Sequence, residues 1–157
     1  MKQNIYIETS VVSYLVSRPS KDIVVAGHQM ATRDFWDSLD DFDVFISDIV
    51  IQEASGGDES QAKMRLEALK DIPILEIDDQ VKALAKKLLD GLAVPEKCVE
   101  DALHIAVAAR NGIDVIVTWN FKHINNPFTR IMVRQLIENS GFACPEICSP
   151  DELGDET

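Results

Sequence analysis

The sequence has no apolar run approaching the roughly 18 residues that a membrane span needs, so no membrane association is expected. Its N-terminus lacks a basic region followed by an apolar core and a small-residue cleavage site, which predicts no signal peptide and a cytoplasmic protein. Cysteine is scarce, at three residues: Cys98, Cys144 and Cys148. The last two stand in C-P-E-I-C with no matching half of a zinc pair elsewhere. On an extended strand, at ~3.3 Å per residue, they lie about 13 Å apart, beyond disulfide reach. Packing thiols in a reducing compartment follow. Internal repeats, low-complexity tracts and interior linkers are also missing.

Positive charge is short as well, with 15 Lys and Arg against 27 Asp and Glu and a formal net charge of −12. Five acids, Glu146, Asp151, Glu152, Asp155 and Glu156, lie in a closing stretch without Lys or Arg, where a solvated tail is expected. Removing them from −12 leaves about −7. That balance argues against broad nonspecific nucleic-acid binding, which relies on basic surface.

What is present is a chain of 157 residues, 46% hydrophobic, long enough to bury a core without staples. One domain over residues 1–148 is predicted, followed by an acidic tail over 149–157. Strands are expected at Asn4–Ile7, Val44–Ile46, Pro73–Ile77, within "DVIVT" and at "PEICS". Helices are expected from Thr9 or Ser10 to Val16, and from Asp22 to Leu39 on the spacing of Ile23, Val24, Gly27, Met30, Ala31 and Phe35. Further helices read as Asp48–Ser55, Glu59–Lys70, Asp78–Leu89, Pro95–Arg110 and Thr129–Asn139. Alternating strands and helices predict an α/β protein, a three-layer α/β/α sandwich around a mostly parallel sheet.

In such sheets, sites form beyond the carboxyl ends of the strands. Glu8 stands at that end of the first strand, and Asn120 just past "DVIVT". On the helix "SDIVIQEAS", Glu53 falls within the apolar arc of Ile49, Val50 and Ala54, so it is expected to turn inward towards a partner. The alternative for Glu53 is a helix-end side chain reaching water, or a structural ion pair. In "VPEKCVEDALHIAVAARNG" the helix after Asp101 is apolar all round and therefore buried. Asp101 precedes that part and is expected to point inward, whereas helix capping accounts better for Glu100. Three carboxylates in one crevice raise one another's pKa. No Lys or Arg adjoins them in sequence, so a divalent cation is the simple remedy. All-oxygen ligands suit Mg²⁺ or Mn²⁺ better than zinc.

Other residues carry two readings each. Thr9 and Ser10 can bind phosphate or water, or cap a helix. Trp119 can stack on a base while Lys122 and His123 meet phosphate, or all three can serve the loop and its packing. His104, one turn after Asp101, reads as a hydrogen-bonded core histidine or as a group orienting a carboxylate.

The ordered set "IYIETS", "SDIVIQEAS", "EDALHIAVAARNGIDVIVTWNFKHI" and "PEICSPDEL" resembles the PIN-domain family, of the kind found in VapC-like toxins. The resemblance covers nearly the whole chain. It implies a PIN-like fold and a Mg²⁺- or Mn²⁺-dependent endoribonuclease. The family's acidic motif carries over onto Glu8, Glu53, Asp101 and Asn120, with Glu8, Glu53 and Asp101 as metal ligands. Glu8 departs from the usual aspartate by one methylene, and Asn120 adds no charge. The resemblance further implies an RNA substrate, a cognate antitoxin protein and a homodimer. The competing expectation is a catalytically weak or inactive PIN-like domain that binds protein or RNA. A phosphoacceptor signalling domain is disfavoured: it expects a pair of acids after the first strand and a lysine after a late one.

Overall fold

Asn4–Ile7 form β1, and Ile5, Tyr6 and Ile7 bury their side chains completely. A strand sealed on both faces must lie inside a sheet covered by helices on either side. The computed structural model, which describes residues 1–153, has this arrangement. The other strands are β2 (Asp43–Ser47), β3 (Ile74–Leu75), β4 (Val115–Val117) and β5 (Glu146–Cys148). They lie in the order β3-β2-β1-β4-β5, and every neighbouring pair is parallel. Tyr6 stands beside Phe45 on one side and Ile116 on the other.

Seven α-helices complete the described residues: α1 (Thr9–Val16), α2 (Ile23–Asp37), α3 (Asp48–Ala54), α4 (Glu59–Leu69), α5 (Asp79–Asp90), α6 (Val99–Arg110) and α7 (Pro127–Asn139). Helix α1 packs against α2, α3 and α4, whereas α5 packs against α6 and α7. These sets are the two helical layers, so the predicted α/β/α sandwich is correct and its sheet is wholly parallel. The chain runs outward from β1 to β3, then returns through α5 and α6 to start β4 on the other side of β1. The direction of winding reverses between β1 and β4. In open parallel sheets the crevice beyond the carboxyl ends at such a reversal is where ligands bind.

Helix α6 is buried as its composition requires, with Ala102, Ile105, Ala106, Val107, Ala108 and Ala109 in the core. It starts later than the expected Pro95. The Pro95 carbonyl accepts from Cys98 N–H at 2.8 Å, closing a separate turn, and Cys98 itself (φ −97°, ψ 58°) is not helical. Helix α7 starts earlier than expected, because Asn126 caps it through Thr129 N–H and Pro127 takes the first turn, where no N–H is needed.

Helix α2 departs further from expectation. Its spacing of apolar residues pointed to Ile23, Val24 and Met30, yet all three are exposed, Ile23 by 87%. Phe35 is buried as expected, but its buried companions are Gln29 and Thr32. Gln29 is inward because its amide binds Ser17 Oγ (2.7 Å), the Arg18 carbonyl (2.8 Å) and Ser20 N–H (3.0 Å), fastening the preceding loop. Thr32 accepts the Trp119 indole N–H at 2.8 Å. Local polar bonding overrides the apolar pattern here.

Ser149 and Pro150 are buried, and Pro150–Leu153 form a 3₁₀ turn against α2 with Asp151 and Glu152 exposed. The remainder of the expected acidic tail, including Asp155 and Glu156, lies outside the described residues. Among the described residues no helix is long and apolar enough to cross a membrane.

The placement of the core predicts unequal responses to equal truncations. Ile116→Ala, on a fully buried residue of β4, should cost ~2–5 kcal/mol in urea unfolding. Ile131→Ala, on the exposed side of α7, should stay within ~0.5 kcal/mol.

Candidate active site

The chain turns from β1 directly into α1, making Glu8 the helix N-cap residue. Glu8 N–H donates to the Val117 carbonyl (3.1 Å), and Thr118 N–H donates to the Cys148 carbonyl (2.9 Å), so the ladder extends one residue past the strands. Glu8 is only 5% exposed. Its Oε1 accepts from Ser10 Oγ at 2.5 Å and from Thr118 Oγ1 at 2.6 Å. Ser10 Oγ accepts from Trp119 N–H (2.9 Å), and Thr118 Oγ1 from Asn120 N–H (2.9 Å). The Glu8 carboxylate thus joins a hydroxyl of α1 to one carried just past β4.

Glu53 lies in the last turn of α3. Each reading of it holds in part: it turns inward to partners, and as a helix-end side chain it stays 33% exposed. Ile49, Val50 and Ala54 fill the core, and the helix ends before Glu53 is covered. Its Oε1 accepts from Thr9 Oγ1 (2.7 Å) and from His104 Nε2–H (2.6 Å). His104 is wholly buried on α6. Its Nδ1 lies 2.6 Å from Tyr6 Oη, which lies 2.7 Å from Ser47 Oγ. The carboxylate accepts at Nε2, so that nitrogen carries a proton whether the ring is neutral or charged. Both sequence readings of His104 hold, since it is a core histidine that orients a carboxylate.

Burial works against charge on His104, but the Glu53 hydrogen bond and the charges of Glu8, Glu53 and Asp101 outweigh it and raise its pKa. Burial likewise pushes the Glu53 carboxyl up, and the His104 hydrogen bond, the His104 charge and Thr9 overcome it, leaving its pKa lowered.

Asp101 sits in the first turn of α6 with a side chain 17% exposed. Its Oδ1 accepts from Asn120 Nδ2 at 3.2 Å, and its Oδ2 lies 3.2 Å from His123 Nδ1. Asn120 Oδ1 accepts from His123 N–H at 2.9 Å, so one amide holds both neighbours. Burial raises the Asp101 pKa, and the charges of Glu8 and Glu53 add to it against His104 and His123. Glu8, Glu53, Asp101 and Asn120 therefore converge past the ends of β1 and β4. Ligand atoms of Glu8, Glu53 and His104 lie within 4.8 Å of one another, and so do those of Cys98, Asp101 and His123. The trio Glu8, Glu53 and Asp101 is thus divided between two adjoining groups. Glu100, one residue earlier, is exposed on the helix surface.

A divalent ion was the simple remedy expected for these acids, and the protein supplies part of that relief itself. Hydroxyls serve Glu8 and His104 serves Glu53, while Asp101 keeps a raised pKa that a cation would reverse. Hard carboxylate oxygens from separate elements fit a divalent cation.

Of the residues expected to meet substrate, Thr9 and Ser10 give their hydroxyl protons to Glu53 and Glu8, and neither caps α1. Trp119 does not offer a stacking face. It is 6% exposed, His28 stacks on its ring at 4.1 Å, and its N–H is taken by Thr32. The exposed aromatic of that loop is Phe121, edge-on to Trp119 at 5.9 Å. Lys122 is exposed and His123 half-buried beside Asp101. The sequence pass missed Thr118 and Cys98. Thr118 was legible as a hydroxyl at the end of an apolar strand, and Cys98 as a thiol three residues before Asp101.

A family model described as PIN domain matches residues 5–127, which include all four converging positions. No curated protein matches the sequence.

The signs of the shifts set a pH dependence. The raised His104 pKa gives stability that is complete below the usual 6.5 and is lost as pH rises through the higher folded value. Lowered Glu53 gives stability present above the usual 4.5 and lost as pH falls through its folded value. Raised Asp101 acts like His104, favouring the folded state at the acid side. In chelator, wild-type urea midpoints should fall as pH rises from about 6 to about 9, and His104→Gln should flatten that fall. Equal slopes in the two proteins would refute the assigned coupling.

Proposed function

The chain belongs to the PIN-domain family, whose members are typically metal-dependent nucleases, and we propose that it is an endoribonuclease hydrolysing RNA phosphodiester bonds. In this reading it is the toxin of a toxin–antitoxin pair, VapC-like, acting in the cytoplasm. The observation that supports it is the convergence of Glu8, Glu53, Asp101 and Asn120 from four separate segments on one crevice.

Glu8, Glu53 and Asp101 would hold Mg²⁺ or Mn²⁺, which supplies water activation and charge stabilisation at a phosphoryl group. The chain's own residues prepare that crevice. Ser10 and Thr118 fix Glu8, while Thr9 and His104 fix Glu53. The His104–Tyr6–Ser47 chain anchors Glu53 to the core, keeping its orientation constant as substrate enters. Asn120 holds Asp101 from one oxygen and leaves Oδ2 facing His123. Lys122 and His123 meet the phosphate backbone at the rim, and Phe121 takes the stacking role that the buried Trp119 does not fill. With a net charge of −12, affinity comes from local shape and not from general attraction, so the substrate range is narrow.

Exposed apolar side chains support contact with protein partners, an antitoxin and a second copy. Ile23, Val24 and Met30 lie on α2; Leu92, Phe121, Phe128 and Met132 border another groove.

A second reading, a PIN-like binding module with weak or no cleavage, is favoured by one fact. Glu8 and Glu53 already have hydrogen-bonding partners without any ion.

Two measurements separate them. Mn²⁺ should raise the melting temperature of the wild type, as any ligand of the folded state must. Wild type should cleave structured RNA with Mn²⁺, and Glu53→Gln should lower that rate on the order of 100-fold. Equal rates would identify a contaminant, and no metal response with no cleavage would support the binding module.

A further inference from the structure

Cys98 at the entry to α6, Asp101 in its first turn and His123 in the loop after β4 meet at a half-buried rim. Cys98 Sγ lies 3.5 Å from His123 Nδ1 and 3.9 Å from Nε2. The same Nδ1 lies 3.2 Å from Asp101 Oδ2. A thiol–imidazole hydrogen bond accounts for the first contact alone. Without an ion, the Nδ1–H serves Asp101 while the sulfur packs against the ring, almost equidistant from its two nitrogens. The three donor atoms lie within 4.8 Å of one another, near enough to share one ion once the ring turns Nδ1 towards the sulfur. With Zn–S of ~2.3 Å and Zn–N and Zn–O of ~2.0–2.2 Å, a tetrahedral ion sets S–N and N–O edges of about 3.5 and 3.4 Å. The observed 3.5 and 3.2 Å differ from these edges by only tenths of an ångström, and a rotation of the ring, whose Nε2 stands 3.9 Å from the sulfur, completes the fit.

The donor set differs from that of the Glu8–Glu53–Asp101 crevice. One sulfur, one imidazole and one carboxylate suit zinc, not magnesium or manganese. Asn120 supplies the outer support such sites have: its amide N–H holds the other Asp101 oxygen, and its carbonyl oxygen accepts the His123 N–H. Partial exposure leaves a fourth position open to water.

We propose that Cys98, Asp101 and His123 form a Zn²⁺ site, and that zinc bound there withdraws Asp101 from the neighbouring acidic crevice. On binding, the Cys98 thiol gives its proton to solvent. Zinc binding itself does not depend on the nuclease reading; inhibition by zinc rests on it. The other two thiols are poor competitors. Burial, with the nearby acids, pushes Cys148 up to about 12, and burial raises Cys144 too.

Co²⁺ titrated into the full chain tests the site directly, as a coloured substitute for Zn²⁺. The wild type should show a thiolate-to-cobalt charge-transfer band with tetrahedral visible bands, all bleached by Zn²⁺. Both Cys98→Ser and Cys98→Ala should lose the charge-transfer band, with folding checked by circular dichroism, and Cys144→Ser should keep it. Asn120→Ala should weaken binding ~10-fold or more. No charge-transfer band in the wild type, or a band that survives in both Cys98 variants, overturns the proposal. In parallel, Zn²⁺ should suppress Mn²⁺-supported RNA cleavage by the wild type and not by Cys98→Ser. A wild type that shows the cobalt band but cleaves with no metal supports the zinc site and defeats the nuclease reading. A wild type whose cleavage ignores Zn²⁺ and which gives no band does the reverse.

Discussion

The 2.6 Å hydrogen bond between His104 Nε2 and Glu53 Oε1 joins the buried helix α6 to the end of α3 across the mouths of the central strands. It is built on two further contacts, since Tyr6 on β1 and Ser47 at the end of β2 hold the other side of the imidazole. A strand, a strand end and two helices thus share one line of polar atoms through an apolar interior. Every group on that line has a partner, so the interior carries a histidine and a tyrosine without orphaned polar atoms. The acidic crevice depends on this line. Without it Glu53, at a helix end and a third exposed, keeps only the Thr9 hydroxyl to hold it inward.

The three acids are provided for differently. Glu8 is buried and receives hydroxyl donors from Ser10 and Thr118, neither of which carries charge. Glu53 has a titratable cation. Asp101 has an amide and a half-buried imidazole, and its pKa is raised above the usual value. Negative charge is therefore incompletely relieved at Asp101, at the junction of the acidic group with the Cys98–His123 pair. A cation gains most beside that carboxylate, and two cations of different chemistry would contend for it.

Much of this was legible in the sequence where the signal is short-range. The unbroken apolar strands β1 and β4 announced a covered parallel sheet, and Glu8 and Asn120 stand just past their ends. Helix α6 announced its burial by being apolar on every side, and Asp101 by directly preceding that stretch. The failures have physical causes too. Apolar spacing placed Phe35 inward correctly but misread the rest of α2, because Gln29 and Thr32 face inward as polar residues bonded to a loop and to Trp119, which no periodicity reveals. Helical angle gave Glu53 its inward turn but not its partial exposure, because a helix terminus frees side chains that mid-helix geometry would bury. Trp119 looked available in its loop, but His28, ninety-one positions earlier, covers its face. Cys98 passed as a packing thiol because its partner His123 lies twenty-five residues away.

The central claim is that Glu8, Glu53 and Asp101 gather in one crevice to share a doubly charged ion. The most direct test is a carboxyl-carbon NMR titration of Asp101, with and without saturating Mg²⁺. The account predicts an Asp101 pKa above the ordinary aspartate value in chelator and a clear drop when Mg²⁺ is added. An Asp101 titration that Mg²⁺ leaves unmoved would contradict it.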